Sequence, residues 1–231
     1  MSYFITGTDT GVGKTLVSCT LLHGLAAQGK RVVGFKPVAA GCDDADHNED
    51  ARALRAASSI QAAYGQINPY CFPHAIAPHL AARHAGVRIE FGRILASYRE
   101  LAAQADTVIV EGVGGFCVPL NAQQDSADLA AALGLPVILV VGMRLGCLNH
   151  ALLTLRAIAA QPLECAGWVA NVLDDSMPAL QENIAALRER IEAPLLGIVP
   201  QMAQADTKAA ARYLDFSLLE VKDIDPQIDT D

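Results

Sequence analysis

The sequence lacks several features that mark particular classes of protein. Its 231 residues include no apolar run near the roughly 18 residues of a membrane span, and no basic N-terminal stretch that leads into an apolar segment. Lys and Arg total 17 against 25 Asp and Glu, which gives a formal net charge of −8. A nucleic-acid-binding surface would need clustered basic residues. These absences predict a cytoplasmic protein that acts on a small molecule, with neither nucleic acid nor a membrane as a partner.

The chain also lacks Cys-x-x-Cys pairs. Its six cysteines are scattered, at positions 19, 42, 71, 117, 147 and 165. This distribution favours reduced thiols in a cytoplasm over a disulfide or zinc framework. We expect most of them to be small core residues.

Short β-rich runs alternate with longer helical patterns along the chain, and its 52% hydrophobic content is ample for a core. Continuously apolar strands are typical of a parallel sheet that helices cover on both faces, so we predict a doubly wound, mostly parallel α/β fold. We expect a single domain over residues 1–220 and a flexible acidic tail over 221–231. The predicted strands are Tyr3–Thr6, Arg31–Phe35, Thr107–Glu111, Val137–Val141, Cys165–Asn171 and Leu195–Val199. The predicted helices are Lys14–Gln28, Asp50–Ser58, Phe91–Gln104, Ser126–Leu133, Leu148–Ala160 and Ala179–Ile191. Segments 42–47 and 68–79 are predicted loops.

The most informative motif is the glycine-rich segment Gly7–Thr15, between the first strand and the first helix. Backbone N–H groups, the helix dipole and Lys14 converge there on one small volume, which predicts a phosphate-binding loop of the P-loop NTPase type. The hydroxyl of Thr15 is placed to bind the magnesium ion of a nucleotide triphosphate. The loop is a variant, because five residues separate Gly7 from Gly13 and Thr8 stands where the first glycine is usual.

Charged side chains follow two other predicted strands. Lys36 comes after the second strand and is either a surface lysine or a second cation that stabilises a transferred phosphoryl group; the neighbouring phosphate loop favours the second interpretation. Asp50 begins a helix, where an acid either favours the helix dipole or binds magnesium. Glu111 ends an apolar strand and precedes the glycine-rich run 112–115, which indicates a metal carboxylate beside backbone that approaches a ligand.

Three further residue groups carry weaker signals. Asn171 ends a strand, where it either forms a turn or reads a base. Gly146 opens a helix after the most apolar strand, which makes residues 146–149 a second possible anion site. A structural role is favoured over catalysis for His150, because phosphoryl transfer needs little proton chemistry from the protein. The histidines at 74, 79 and 84 lack metal-site spacing.

The segments Gly7–Thr15, Lys36–Val38, Val110–Gly115, Gly146–His150 and Gly167–Asn171 together resemble the dethiobiotin synthetase family over nearly the whole chain. The resemblance implies an ATP- and Mg²⁺-dependent homodimeric cyclo-ligase. In such an enzyme 7,8-diaminononanoate takes up carbon dioxide as a carbamate, and the γ-phosphate of ATP activates it as a carbamic-phosphoric anhydride. The second amine then closes the cyclic urea, releasing ADP and phosphate.

The resemblance also implies roles for individual residues. The implied catalytic residues are Lys14, Lys36 and Thr10. The implied magnesium ligands are Thr15, Asp50 and Glu111. The substrate contacts are Thr10, Lys36, Ala40 and Gly114, together with Gly146, Cys147, Leu148 and Asn149 across the dimer interface. The nucleotide contacts are Gly11, Val12, Gly13, Lys14, Thr15, Leu16, Asp50, Glu111, Gly114, Asn171, Val172, Pro200, Gln201 and Met202.

Two residues depart from the family pattern. Ala40 stands where many members have a hydroxyl, so it cannot donate a hydrogen bond to substrate or phosphate. Gly11 stands where a glutamate is frequent. The family pattern also has an acid near the ribose late in the chain, and Asp206 is the candidate for it.

Two other classes of protein share the fold or the loop. A dimerising P-loop ATPase switch of the type that positions plasmids or division sites shares the fold, but its phosphate loop has a signature lysine where this chain has Thr8–Thr10. No basic amphipathic tail for membrane attachment is visible. An amide-forming ligase of corrin-type cofactors shares the loop but carries a glutamine-hydrolysing domain, for which this chain has no room.

Overall fold

The computed structural model describes residues 1–43, 47–202 and 206–219. The acidic tail predicted over 221–231 lies outside the described residues, and the single domain over 1–220 stays a prediction. Within the described ranges, no helix has the length and apolar character needed to cross a membrane.

A six-stranded parallel sheet forms the centre of the fold, as the alternating pattern predicted. Its strand order is β2-β5-β1-β6-β7-β8. The strands, with the two short strands β3 and β4 that pair separately, are β1 (Tyr3–Gly7), β2 (Val32–Phe35), β3 (Val38–Ala40), β4 (Tyr70–Phe72), β5 (Thr107–Glu111), β6 (Val137–Met143), β7 (Cys165–Val172) and β8 (Leu195–Val199).

Helices cover both faces of the main sheet. The helices are α1 (Lys14–Ala27), α2 (Glu49–Ala57), α3 (Tyr64–Ile67), α4 (Pro78–His84), α5 (Phe91–Ala102), α6 (Ser126–Leu133), α7 (Cys147–Ala159), α8 (Leu180–Arg188) and α9 (Thr207–Ala210). All six predicted helices form; Ser126–Leu133 has the predicted bounds, and the other five differ at one or both ends. Segment 68–79 is not wholly a loop, because it contains β4 and the first residues of α4.

Alternate residues of the central strands pack into two different cores. In β5, Val108 and Val110 join the core with Phe35, whereas Ile109 joins the opposite core with Ile5. Successive side chains of a strand point to opposite faces, so both faces need apolar cover. This burial explains why the strands read as continuous apolar runs.

The structure corrects the expectation that all cysteines are reduced. Cys42, just after β3, and Cys71, in β4, form a disulfide whose Cα atoms lie 6.0 Å apart. Cys19 and Cys147 are buried as expected, whereas Cys117 is exposed. The two bonded cysteines are 29 positions apart in sequence, so only the parallel pairing of β3 with β4 brings them together.

Candidate active site

The phosphate loop occupies the carboxyl end of β1, between that strand and α1. Gly11 and Gly13 adopt left-handed backbone conformations, with φ of 73° and 94°. Gly13 is the residue from which α1 begins. This geometry turns successive N–H groups and the positive end of the helix toward one volume, as the motif predicted.

Gly13 also lies against the side chain of Asn171 at the end of β7. A Cβ atom at position 13 would lie 2.2 Å from Asn171 Nδ2. The same nitrogen donates a 2.9 Å hydrogen bond to the carbonyl oxygen of Val12. Asn171 is buried, and its hydrogen bond ties the phosphate loop to the end of β7, two strands away from β1 in the sheet.

Four of the predicted site residues form one polar cluster beside the loop. Lys36 Nζ lies 2.6 Å from Glu111 Oε1 and 3.0 Å from Asp50 Oδ2. The Thr15 hydroxyl oxygen lies 2.7 Å from Asp50 Oδ1 and 2.9 Å from Glu111 Oε1. The structure thus brings together residues from α1, β5, α2 and the end of β2.

Local hydrogen bonds fix the two sides of this cluster. Asn48 caps α2 by accepting from the backbone N–H of Asp50 and Ala51. Asn68 donates 2.7 Å and 3.0 Å hydrogen bonds to the carbonyl oxygens of Lys36 and Tyr70. Sequence reasoning missed both asparagines, although Asn directly before a helix is a known capping signal.

Burial and neighbouring charges shift the pKa of the two lysines. Burial and the nearby positive charge of Lys36 lower the pKa of Lys14 to about 8. Burial also works to lower the pKa of Lys36, but the charges of Glu111 and Asp50 outweigh it, and this pKa is raised above its ordinary value. Lys36 is therefore a fixed cation, whereas the charge of Lys14 is easily lost.

The acidic side of the cluster shows the complementary effect. Burial works to raise the pKa of Asp50, but Lys36 and the hydrogen bond from Thr15 lower it below its usual value. Glu111 Oε2 is buried and has no hydrogen-bond partner among the described residues. An orphaned carboxylate oxygen of this kind needs a cation or donor to compensate its burial.

A cavity of about 380 Å³ opens over the cluster. The predicted site residues that line it are Thr10, Gly11, Gly13, Lys14, Thr15, Lys36, Ala40, Asp50, Glu111 and Gly114. In the described parts of the chain, no group of three His, Cys, Asp or Glu side chains could hold a metal alone. The cavity offers two carboxylates and one hydroxyl, from Asp50, Glu111 and Thr15.

The remaining predicted residues do not line this cavity. Gly146, exposed and with φ of 93°, opens α7, whose first residues are Cys147, Leu148 and Asn149. Cys147 is buried, whereas Leu145 is 95% exposed. An ion pair between Arg144 and Asp9, which the sequence did not indicate, ties this turn to the phosphate loop.

Residues predicted near the nucleotide also follow β7 and β8. Val172 is the buried last residue of β7, and Pro200 directly follows β8. Gln201 accepts a 3.2 Å hydrogen bond from the Asp175 N–H. Leu16 and Met202 both pack against the core that contains Ile5. Asp206 caps α9 through bonds to the N–H groups of residues 208 and 209.

Sequence comparisons identify relatives of this chain. A family model described as an AAA domain matches residues 1–209. The chain is 55% identical over 216 residues to the ATP-dependent dethiobiotin synthetase BioD of Aromatoleum aromaticum, covering 92% of this chain and 96% of the relative. It is 53% identical over 215 residues to the protein of that name from Nitrosospira multiformis, with 93% and 95% covered.

Two solved structures share the fold at low sequence identity. A cobyrinic acid a,c-diamide synthase from Mycobacterium smegmatis, with a bound ATP analog and magnesium, has a TM-score of 0.54 at 18% identity and covers 91% of each chain. The MinC:MinD cell division complex of Aquifex aeolicus gives 0.52 at 15% identity, with 90% and 86% covered. Because these likenesses show only the fold, the assignment rests on the closer sequence relatives: the chain belongs to the dethiobiotin synthetase family.

Proposed function

We propose that this protein converts 7,8-diaminononanoate, carbon dioxide and ATP into dethiobiotin, ADP and phosphate. The observation that carries the proposal is the buried Lys36, held 2.6 Å from Glu111 beside the phosphate loop. Activation of a carbamate brings several negative charges together, so the site must supply preorganised cations rather than a nucleophile. Lys14 and Lys36 meet this requirement, and Thr10, on the cavity wall, would contact the carbamate.

Thr15, Asp50 and Glu111 would hold Mg²⁺. Their oxygen ligands suit a hard cation, and the unpartnered Glu111 Oε2 supports this assignment. A magnesium ion bound here would neutralise charge on the phosphates. Because Asp50 and Glu111 are the same groups that bind Lys36, sharing them with a cation would weaken their hold on the lysine. Lys36 would then be available to the reacting oxygens.

Asn171 supports a preference for adenine. One of its two amide N–H groups is engaged by the Val12 carbonyl, and its amide oxygen can accept a hydrogen bond. Adenine offers an exocyclic amino group as donor, whereas guanine offers a carbonyl oxygen at the equivalent position. Val172, Pro200, Gln201 and Met202 would form the walls around the base.

We further propose that the enzyme is a homodimer, in which the substrate carboxylate binds to residues 146–149 of the opposite subunit. The N-terminus of α7 has N–H groups without intrahelical partners and suits an anion. Leu145, just before this helix, is 95% exposed, and Leu153, within it, is 53% exposed. An exposed apolar surface next to an anion site supports contact with a second copy.

The decisive test is a product assay with purified protein, MgATP, bicarbonate and 7,8-diaminononanoate. We expect dethiobiotin and ADP in equal amounts, with ADP release dependent on the diamine. Equally fast ADP release without the diamine would contradict the synthetase function and favour an ATPase switch.

A further inference from the structure

The Cys42–Cys71 disulfide lies at the edge of the candidate active site. Cys42 is two positions after Ala40, which lines the cavity. In the β3–β4 pairing, Ala39 lies beside Cys71 and Ala40 beside Phe72. The N–H groups of Gly41 and Cys42 both donate to the Phe72 carbonyl oxygen, at 2.9 Å and 3.0 Å. The disulfide therefore reinforces the point where the chain leaves β3.

A short series of contacts leads from Cys42 to Asp50. The N–H of Asp43 donates to the His47 carbonyl, and the N–H of His47 donates to Asp43 Oδ1, both at 2.9 Å. Asp43 also forms an ion pair with Arg52 of α2. Next, Asn48 caps the helix through the N–H of Asp50. Eight positions thus separate the disulfide from the carboxylate that contacts Lys36.

Besides the disulfide, the short β3–β4 pairing and the Asn68 hydrogen bonds hold this part of the fold in register. β3 and β4 have three residues each and form a sheet of two strands. So small a sheet is marginal on its own. Both cysteines are partly exposed, so small thiols and disulfides can approach the bond. The cross-link should therefore contribute strongly to local order and remain open to exchange.

We propose that Cys42 and Cys71 form a reversible thiol–disulfide site that controls the order of residues 39–43 at the end of β3 and of residues 47–50 at the start of α2. In the forward direction, one cysteine thiolate attacks a small-molecule disulfide and expels one thiolate. The second cysteine then attacks the resulting mixed disulfide and expels the other. The two cysteines lose two electrons and two protons, and the small disulfide is reduced to two thiols. Excess small thiol reverses the sequence.

The test begins with the wild-type protein, equilibrated in either a reduced or an oxidised glutathione buffer. Differential alkylation and non-reducing peptide mapping should find a peptide that joins Cys42 to Cys71 only in the oxidised sample. Hydrogen–deuterium exchange at residues 39–43 and 47–50 should be about threefold or more faster after reduction. Thiols that stay free in the oxidised buffer, or exchange that is equal in the two states, would overturn the proposal.

Variants separate this disulfide from general effects of oxidation. Cys42→Ser and Cys71→Ser should exchange like the reduced protein in both buffers, whereas Cys117→Ser should keep the wild-type response. Cys117 is the matched control because it is exposed and not bonded. A wild-type redox response that persists in both disulfide variants would contradict the assignment to this pair.

A functional measurement follows from the position of Asp50 and rests on the proposed function. Reduction should raise the Mg²⁺ concentration needed for half-maximal turnover about threefold or more, because a loosened α2 start holds Asp50 less well. An unchanged Mg²⁺ requirement would overturn the link to Asp50. If the protein makes no dethiobiotin, the mapping and exchange results still decide the thiol–disulfide site, so the two failures are distinguishable.

Discussion

The phosphate end of the candidate site and the start of α7 differ in burial. At the phosphate end, Lys36 and Glu111 are buried and 2.6 Å apart. At the start of α7, Leu145 is 95% exposed and Asn149 is also exposed. The phosphate end is built by the ends of β2 and β5 together with the first residues of α1 and α2. The α7 end presents the backbone N–H groups of a helix N-terminus beside exposed apolar surface. The comparison indicates a preorganised charge cluster at one end and, at the other, a surface suited to completion by a second copy.

Removing the central cation should break the phosphate end most severely. We expect Lys36→Gln to lower kcat by a factor of about 10² to 10³ or more, with a modest loss of nucleotide affinity, because its charge is needed mainly in the transition state. Steady-state kinetics and nucleotide titration measure the two effects. Lys30→Gln, at an exposed position, is the control. Unchanged turnover in Lys36→Gln would remove Lys36 from the mechanism.

A methyl group in the phosphate loop should distort the same end sterically. Gly13→Ala should weaken ATP binding about tenfold or more, because its Cβ would lie 2.2 Å from Asn171 Nδ2. Gly29→Ala is the matched control, since φ is +84° there but nothing lies within 4 Å of the added Cβ. Calorimetric titration with ATP compares the two variants. Equal affinities would show that the contact between Gly13 and Asn171 does not hold the loop.

The pKa of Lys14 predicts opposite pH trends for binding and stability. Since this pKa is lowered from 10.5 to about 8, phosphate affinity should fall by up to about tenfold per pH unit above pH 8. Stability should instead gain from Lys14 between pH 8 and 10.5, because the unfolded chain binds its proton in that range and the folded chain does not. ATP titrations and denaturant unfolding across this range measure both trends.

Lys14→Arg provides the control for this pH dependence. Arginine stays protonated throughout the range, so the variant should lose the decline in affinity near pH 8. A decline of the same size in Lys14→Arg would assign the pH effect to another group.

A substitution at the start of α7 should change self-association rather than the charge cluster. Leu145→Asp should weaken self-association. It should also raise KM for the diamine about threefold or more, with a smaller change in KM for ATP. Sedimentation at several concentrations and steady-state kinetics test this expectation. Leu218→Asp is the matched control, because Leu218 is 41% exposed but lies near the C-terminal end of the described chain. Unaltered assembly in Leu145→Asp would exclude this surface as the dimer contact.

The smallest effect is expected at position 40, where this chain has Ala and many family members have a hydroxyl-bearing residue. Ala40→Ser restores a hydroxyl on the cavity wall and should lower KM for the diamine about twofold to fivefold, the range of one added hydrogen bond. Kinetics at saturating MgATP would detect this change. If neither kinetic constant moves, the hydroxyl contact is dispensable in this protein.

Sequence patterns predicted the elements that rest on local rules. The glycine-lysine-threonine loop specified the start of α1, and the apolar runs specified all six strands of the main sheet. The short strands β3 and β4 were missed because three residues carry too little periodicity to stand out. Asn48 and Asn68 were also missed. Each acts by holding another residue of the site in position, and that effect depends on contacts made in the folded protein.

The sequence by itself determined the α/β class, the phosphate loop and the family. The class follows from apolar strand runs that alternate with helical patterns, the loop follows from its glycines and Lys-Thr pair, and the family follows from the resemblance of several short motifs. All of these are local features of the sequence. Only the tertiary structure decided that Lys36 is shared between Asp50 and Glu111, that Asn171 holds Val12, and that Cys42 meets Cys71. The physical reason is that parallel strands place residues from distant parts of the chain at one sheet edge, and the resulting contacts depend on strand order and register.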